Sequence, residues 1–304
     1  MAEGRPGRPA RLAWGAVVAI LLGVVGLVTY ALTHVSSPTA PATPAVTSPA
    51  VLAKLSTVPP TTFDSVGVSV PGTSLTAPTV LAGQAPLTAQ GKPEVLFVGA
   101  VFCPFCAAER WPLVVALARF GRFTELHDGV SAALTIFPNT PTFTFDGVGY
   151  VSRYLTLTGV ELYSDTIGPD GTYTRLARLT PAQATLVARY APQAGGITTG
   201  TAPFVDVAGR LVAVTSGFSP ALLAGQSQAQ IANEVATPAT GPGTPGSGTT
   251  APPTGQAVIA VANQLSAGIC AATGQQPRSV CRSKGVRSAD LALGLPVPAA
   301  ASAG

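Results

Sequence analysis

The sequence predicts an α/β domain carried behind an apolar N-terminal segment, and three observations predict it. A continuous apolar run of strand length, residues 94–101, leads directly into Cys103-Pro104-Phe105-Cys106 and then into helical spacing of Leu113, Leu117 and Phe120. About a hundred residues on, residues 204–207 and 211–215 read as two short strands joined by a tight Ala208-Gly209-Arg210 turn. Residues 13–33 carry no charge at all.

Taken in chain order, residues 1–12 hold Arg5, Arg8 and Arg11 against Glu3, a short basic tail. The uncharged stretch 13–33 follows; at about 1.5 Å per residue it spans roughly 30 Å, the thickness of a bilayer core. A cleaved leader would have an apolar region of only about 7–15 residues and a small-residue cleavage site, and Thr33-His34-Val35 is a poor one. No Lys or Arg recurs until Lys54, so the positive-inside rule puts the tail in the cytoplasm and the bulk of the chain outside a single membrane-spanning helix. Residues 34–49, rich in Pro, Ser, Thr and Ala, then read as an extended spacer.

Beyond the spacer the periodicity is globular. Residues 94–101 read as a buried central strand, 104–121 as a helix and 132–137 as a second buried strand. Residues 150–162 alternate well enough for a strand. Thr180-Pro181 caps a helix to about Tyr190. After the 204–215 hairpin, Ser219-Pro220 caps a helix to about Ala236. The order is strand, helix, strand, insertion with helix, hairpin, helix. That is the order of a thioredoxin-like fold with extra material in its middle, residues 138–192 or so.

Charged residues are 10% of the chain against 47% hydrophobic, and the formal net charge is +4. Outside the tail the charges are scattered singly, with no basic stripe and no interleaved aromatics. Nucleic-acid binding has no electrostatic footprint here.

The chemistry lies in Cys103 and Cys106. A helix N-terminus presents unpaired N–H groups and about half a unit of positive charge, and both favour the thiolate that attacks in disulfide exchange. Cys103, at the cap position, is expected to be exposed and nucleophilic, and Cys106, one turn inside, to resolve the mixed disulfide. A zinc site would want four ligands, and the chain offers only His34 and His127 besides its cysteines. A copper-delivery site would want wider cysteine spacing and a partnering His. No metal or cofactor is therefore expected. A purely structural disulfide is the remaining alternative.

Ala202-Pro203 opens the strand at 204 and is expected to line a peptide groove opposite the motif, with Pro203 in the cis form that a thioredoxin-like fold places there. Thioredoxin-like proteins keep a buried carboxylate six residues before the first cysteine; here that position is Phe97. Glu109, three residues past Cys106, is a possible proton relay, although Glu109 and Arg110 read more plainly as surface or packing residues. Cys270 and Cys281, in and after an apolar helical stretch at 257–271, read as a structural disulfide, with an electron relay to Cys103/Cys106 as the alternative.

Three segments, GKPEVLFVGAVFCPFCAAERWPLVVALARFGRF, FPNTPTFTFDGVGYVSRYLTLTGVEL and ANQLSAGICAATGQQPRSVC, resemble an uncharacterised, membrane-anchored thioredoxin-like family of actinobacteria and archaea, a domain of unknown function. The resemblance covers roughly residues 50–285. It implies that the terminal helix with Cys270 and Cys281 belongs to the same domain, that 237–255 is a low-complexity surface loop, and that 286–304 is a flexible tail. An acidic or polar residue often precedes the motif in that family where this chain has Val101.

The expected function is a membrane-anchored, extracytoplasmic thiol–disulfide oxidoreductase that forms or reshuffles disulfides in exported proteins. Its expected partners are exported protein thiols and disulfides and a membrane redox partner, either a quinone-linked oxidase or a thiol carrier. Alternatives are an extracytoplasmic reductase serving cytochrome c maturation and a non-catalytic thioredoxin-like binding module.

Overall fold

A computed structural model describes residues 44–192, 195–238 and 253–295. The expected span at 13–33, most of the spacer and most of the 237–255 run lie outside these residues.

The described chain opens with two short helices, α1 (Pro49–Ser56) and α2 (Pro60–Val66), each with a proline in its first turn. Short strands β1 (Thr79–Val80) and β2 (Thr88–Ala89) precede the central strand β3 (Lys92–Gly99) and helix α3 (Pro104–Ala118). Then come β4 (Arg122–Val130), β5 (Pro141–Val151), β6 (Thr156–Glu161), β7 (Tyr163–Ile167), β8 (Tyr173–Arg175), α4 (Pro181–Tyr190) and α5 (Gly195–Thr198). The hairpin β9 (Phe204–Val207) and β10 (Leu211–Ala213) leads through a 3₁₀ turn, Pro220–Leu223, to α6 (Gln228–Ala236). Helices α7 (Thr254–Ala272), α8 (Arg278–Cys281) and α9 (Lys284–Leu293) close the domain.

The result is a mixed α/β fold around a mixed sheet. β3 pairs parallel with β6, from Glu94 opposite Thr156 to Gly99 opposite Glu161, and antiparallel with β9 on its other side. β10 and then β1 extend the sheet beyond β9, and β2 pairs with the start of β3. β4–β5 and β7–β8 form separate two-stranded ribbons.

From Val95 to Gly99 β3 is apolar without alternation because both of its faces are covered there. Val95 and Phe97 join a large core with α3, α7 and the inner side of β9, whereas Leu96 and Val98 meet Val187 of α4, Ile197 of α5, Val160 and Phe204. Helix α7 packs against α2, α3, α6 and α9. By length and composition it could cross a membrane, but 83% of its apolar window is buried inside the domain, the burial of a core helix. Asn263 and Ser266 are matched within that core, whereas Gln264 Oε1 has no partner. Asn263 donates to the carbonyls of Phe63 and Gly67, and Arg119 at the end of α3 donates to Asn263 and Ser266. The Cys270–Cys281 disulfide, with Cα atoms 5.5 Å apart, ties the end of α7 to α8. Closing a loop of that size contributes roughly 3 kcal/mol in the chain-entropy view.

Several elements differ from the sequence reading. Residues 132–137 form no strand; the strand is β4, whose alternation is broken by register shifts between Phe123 and His127. The expected 150–162 strand is the end of β5, a turn and β6. The helix expected from Ser219 breaks at Gly225, which adopts φ +71°, so the 3₁₀ turn and α6 are separate. Residues 286–293, expected as flexible tail, belong to α9, whose Val286 and Ala289 are buried.

Candidate functional site

Cys103 caps α3. Its φ and ψ of −81° and 121° are those of an extended residue, and its Sγ accepts from the Cys106 N–H at 3.0 Å. Pro104 takes the first helical position, where a missing N–H costs nothing. Cys103 and Cys106 are joined as a disulfide with Cα atoms 5.2 Å apart. Both residues are 0% exposed, so the expected exposure of Cys103 is overturned.

The burial has identifiable causes on each side of the motif. Phe102, just before Cys103, stacks on Tyr173 of the β7–β8 ribbon with ring centroids 4.1 Å apart. Phe105 meets Phe137 of the 131–140 loop edge-on at 5.9 Å, and Ala132 of that loop donates to the Phe102 carbonyl. On the inner side, the Gly200 carbonyl lies 3.9 Å from Cys106 Sγ. Gly200 has φ +80°, and a Cβ there would stand 2.8 Å from that of Ala100. A Cβ on Gly99 would meet the Phe97 ring at 2.7 Å and Cys106 Sγ at 3.2 Å. Both glycines let backbone approach the sulfur where a side chain would collide.

Ala202 and Pro203 lie directly before β9, whose Phe204 pairs with Val98 of β3. Two details depart from a thioredoxin-like peptide groove. Among the described residues the cis X–Pro bond is Gln276–Pro277, so the Ala202–Pro203 bond is trans. The Ala202 N–H donates to the Gly196 carbonyl of the adjacent α5.

Glu109 and Arg110 are buried, which rules out the surface reading for both. Glu109 accepts from the Gly217 N–H at 2.8 Å through Oε2, while its Oε1 has no partner. Burial pushes its carboxyl from the usual carboxylate range up to about 8, so it carries its proton at neutral pH. Arg110 makes a two-pronged ion pair with Glu161 at the end of β6, at 2.9 and 2.6 Å, with both side chains 0% exposed. Nη2 of the same guanidinium donates to Ala100 in the turn before Cys103, and Glu161 Oε1 also accepts from the Phe145 N–H. The guanidinium sits 5.0 Å from the centre of the Phe97 ring. Phe97 thus occupies the position expected for a buried carboxylate, and a charge pair lies beyond it. Glu161 was missed in the sequence. Its signal was an acidic residue between the apolar Val160 and Leu162, matched by a lone arginine on an apolar helix.

The Glu109 carboxyl makes a pH prediction. Its pKa is higher folded than unfolded, so the folded state holds a proton that the unfolded chain releases above about pH 4.5. That contribution to stability is full below pH 4.5 and is lost as pH rises toward 8, at up to about 1.4 kcal/mol per pH unit. Urea midpoints across this range are expected to fall less steeply in Glu109→Gln than in the parent. Parallel curves would mean that Glu109 ionises freely in the folded protein.

Fold and site together define a mixed α/β protein with a disulfide-bonded Cys-x-x-Cys at the cap of the helix that follows its central strand. The chain belongs to the family described as Domain of unknown function (DUF929), whose profile matches residues 79–242. No curated protein and no solved structure matches it.

Proposed function

We propose that this chain is a thiol–disulfide oxidoreductase with a thioredoxin-like domain, anchored by residues 13–33 and acting on exported proteins outside the membrane. The observation that carries the reading is the Cys103–Cys106 pair, bonded to each other at the start of α3 directly after β3. A Cys-x-x-Cys in a β–α–β unit reads as a redox motif of this kind. The order β6, β3, β9, β10, with β6 parallel and β9 antiparallel to β3, supports the fold assignment.

In the oxidising direction a substrate thiolate attacks Cys103 Sγ. The Cys103–Cys106 bond breaks, and Cys106 leaves as a thiolate that takes up a proton. Glu109 lies three residues further along the helix, on the same side as Cys106; being protonated at neutral pH, it is suited to supply that proton. The substrate's second thiolate then attacks the mixed disulfide, and Cys103 is released. Two electrons have moved from substrate to the pair. The substrate thiols lose their protons to solvent, and Cys103 takes one up from solvent. Glu109 regains from solvent the proton it gave to Cys106. A quinone-linked oxidase in the membrane takes up the two electrons and restores the disulfide.

The complete burial of both cysteines favours a second reading, a binding module whose disulfide is inert. The reduction potential separates the two. The full chain is equilibrated in glutathione buffers and its thiols are alkylated and read by mass spectrometry, which keeps Cys103/Cys106 apart from Cys270/Cys281. The proposal expects a value near the range of oxidants and isomerases, about −120 to −180 mV. A value at or below about −270 mV, that of thioredoxin, would favour a reductase or a structural bond.

A further inference from the structure

The 131–140 loop carries no charged residue and holds two large aliphatic side chains in solvent, Leu134 at 89% exposure and Ile136 at 74%. Single exposed hydrophobics are ordinary. These two differ because the loop is braced from within. Ser131 Oγ donates to the Phe137 carbonyl and accepts from the Thr140 N–H, and Thr135 and Thr140 hydroxyls close two further turns. Exposure of Leu134 and Ile136 is therefore built into the loop. The same loop touches the redox motif through Phe137 on Phe105 and through Ala132 on Phe102.

A second observation says what faces it. The first described residues run antiparallel to β4: Thr47 N–H donates to Leu126, Asp128 N–H donates to Ala45, and Val46 bridges His127. Followed back toward the N-terminus, the chain thus advances along β4 toward Val130, from which the 131–140 loop springs. Only ten residues, 34–43, separate Pro44 from the apolar stretch that ends at residue 33. Fully extended they reach at most about 35 Å. Pro44, the first described residue, lies toward the end of β4 from which the exposed aliphatic loop springs.

We infer that the 131–140 loop is a membrane-contact loop whose Leu134 and Ile136 enter the apolar edge of the bilayer, holding the Cys103/Cys106 face toward the membrane. The inference rests on the anchored reading above and goes beyond it, because an anchor alone leaves the domain free to turn. The loop's lack of charge suits it to a zwitterionic lipid surface. The bilayer's occupancy of this loop gives a membrane-embedded redox partner a fixed approach to the motif.

The test uses the full chain in phosphatidylcholine vesicles in which part of the lipid carries bromine on its acyl chains, a contact quencher of tryptophan. Wild-type Trp14, inside the apolar stretch, reports whether the anchor inserts. A Leu134→Trp variant in a Trp14→Phe background reports the loop, with Trp111 as a buried internal reference. Leu291→Trp in the same background is the control, since Leu291 is 78% exposed on α9, which packs on α2 and α7. The expected result is that the indole introduced by Leu134→Trp loses at least about half of its emission, while the one introduced by Leu291→Trp is unchanged. Ile136→Trp is expected to repeat the loop pattern. Quenching of Trp14 without quenching of the loop indole would overturn the loop's role and leave the anchor standing. Failure of Trp14 to quench would remove both. A loop indole that responds to a reduced, unfolded polypeptide but not to brominated lipid would assign the loop to substrate and end the bilayer proposal. None of these outcomes depends on the reduction potential, so the chemistry is judged separately.

Discussion

Cys106→Ala is expected to leave the chain joined to exported proteins through mixed disulfides at Cys103 that thiol reductants dissolve. With Cys106 present, the mixed disulfide is resolved by the substrate's second thiol or by Cys106 itself. With Cys106 gone, the Cys103 thiolate attacks a substrate disulfide and releases one substrate thiolate. The enzyme-side route of resolution is closed and the adduct accumulates. The double variant Cys103→Ala with Cys106→Ala is expected to trap nothing, and Cys103→Ala to lower disulfide-forming activity at least about 10³-fold, the scale on which losing a nucleophile tells. Non-reducing gels of envelope proteins followed by mass spectrometry read the outcome. An absence of adducts in Cys106→Ala, with folding intact, would leave the inert-disulfide module as the standing reading.

The second large effect concerns the buried pair of Arg110 and Glu161. Glu161→Gln keeps the shape of the side chain and removes its charge, so the guanidinium is left uncompensated with both side chains out of reach of water. Breaking such a pair costs about 3–5 kcal/mol, and in a domain of this size that is a fall in Tm of about 10 °C. Replacing both partners by apolar residues, Arg110→Met with Glu161→Leu, is expected to recover most of the loss, because no buried charge then remains. Calorimetry of the single and double variants checks this. A double variant as unstable as the single one would mean that the pair's hydrogen bonds to Ala100 and Phe145, rather than its charge, hold the site together.

Much of this architecture was readable from residue pattern alone. The uninterrupted apolar run of β3, the Cys-x-x-Cys at its end and the Thr180-Pro181 start of α4 are local signals, and the structure has a strand, a capped helix and a capping box at those places. What could not be read is what depends on partners distant in sequence. β4 lost its alternation to irregular pairing with β5, and the apolar 132–137 run looked like a strand because nothing local announces that Leu134 and Ile136 face outward. Arg110 and Glu161 meet across fifty-one positions, and neither residue says which arginine and which glutamate will be buried together. The same holds for Cys103. Its cap position followed from sequence, whereas its burial comes from aromatic residues of the 131–140 loop and the β7–β8 ribbon packing around the motif.

That burial sets a clock. A sulfur with no face toward solvent reacts only during the intervals when its cover is open, so the frequency of opening caps the rate, however nucleophilic the incoming thiol. Below the cap, exchange follows thiol concentration; at the cap, adding more thiol changes nothing. Small diffusing thiols such as glutathione then gain little from their abundance. A partner that pulls aside Phe102 or Phe105 as it binds opens the path for itself. Selectivity among chemically equivalent thiols would in this way be decided by who can open the door, with the chemistry behind it common to all.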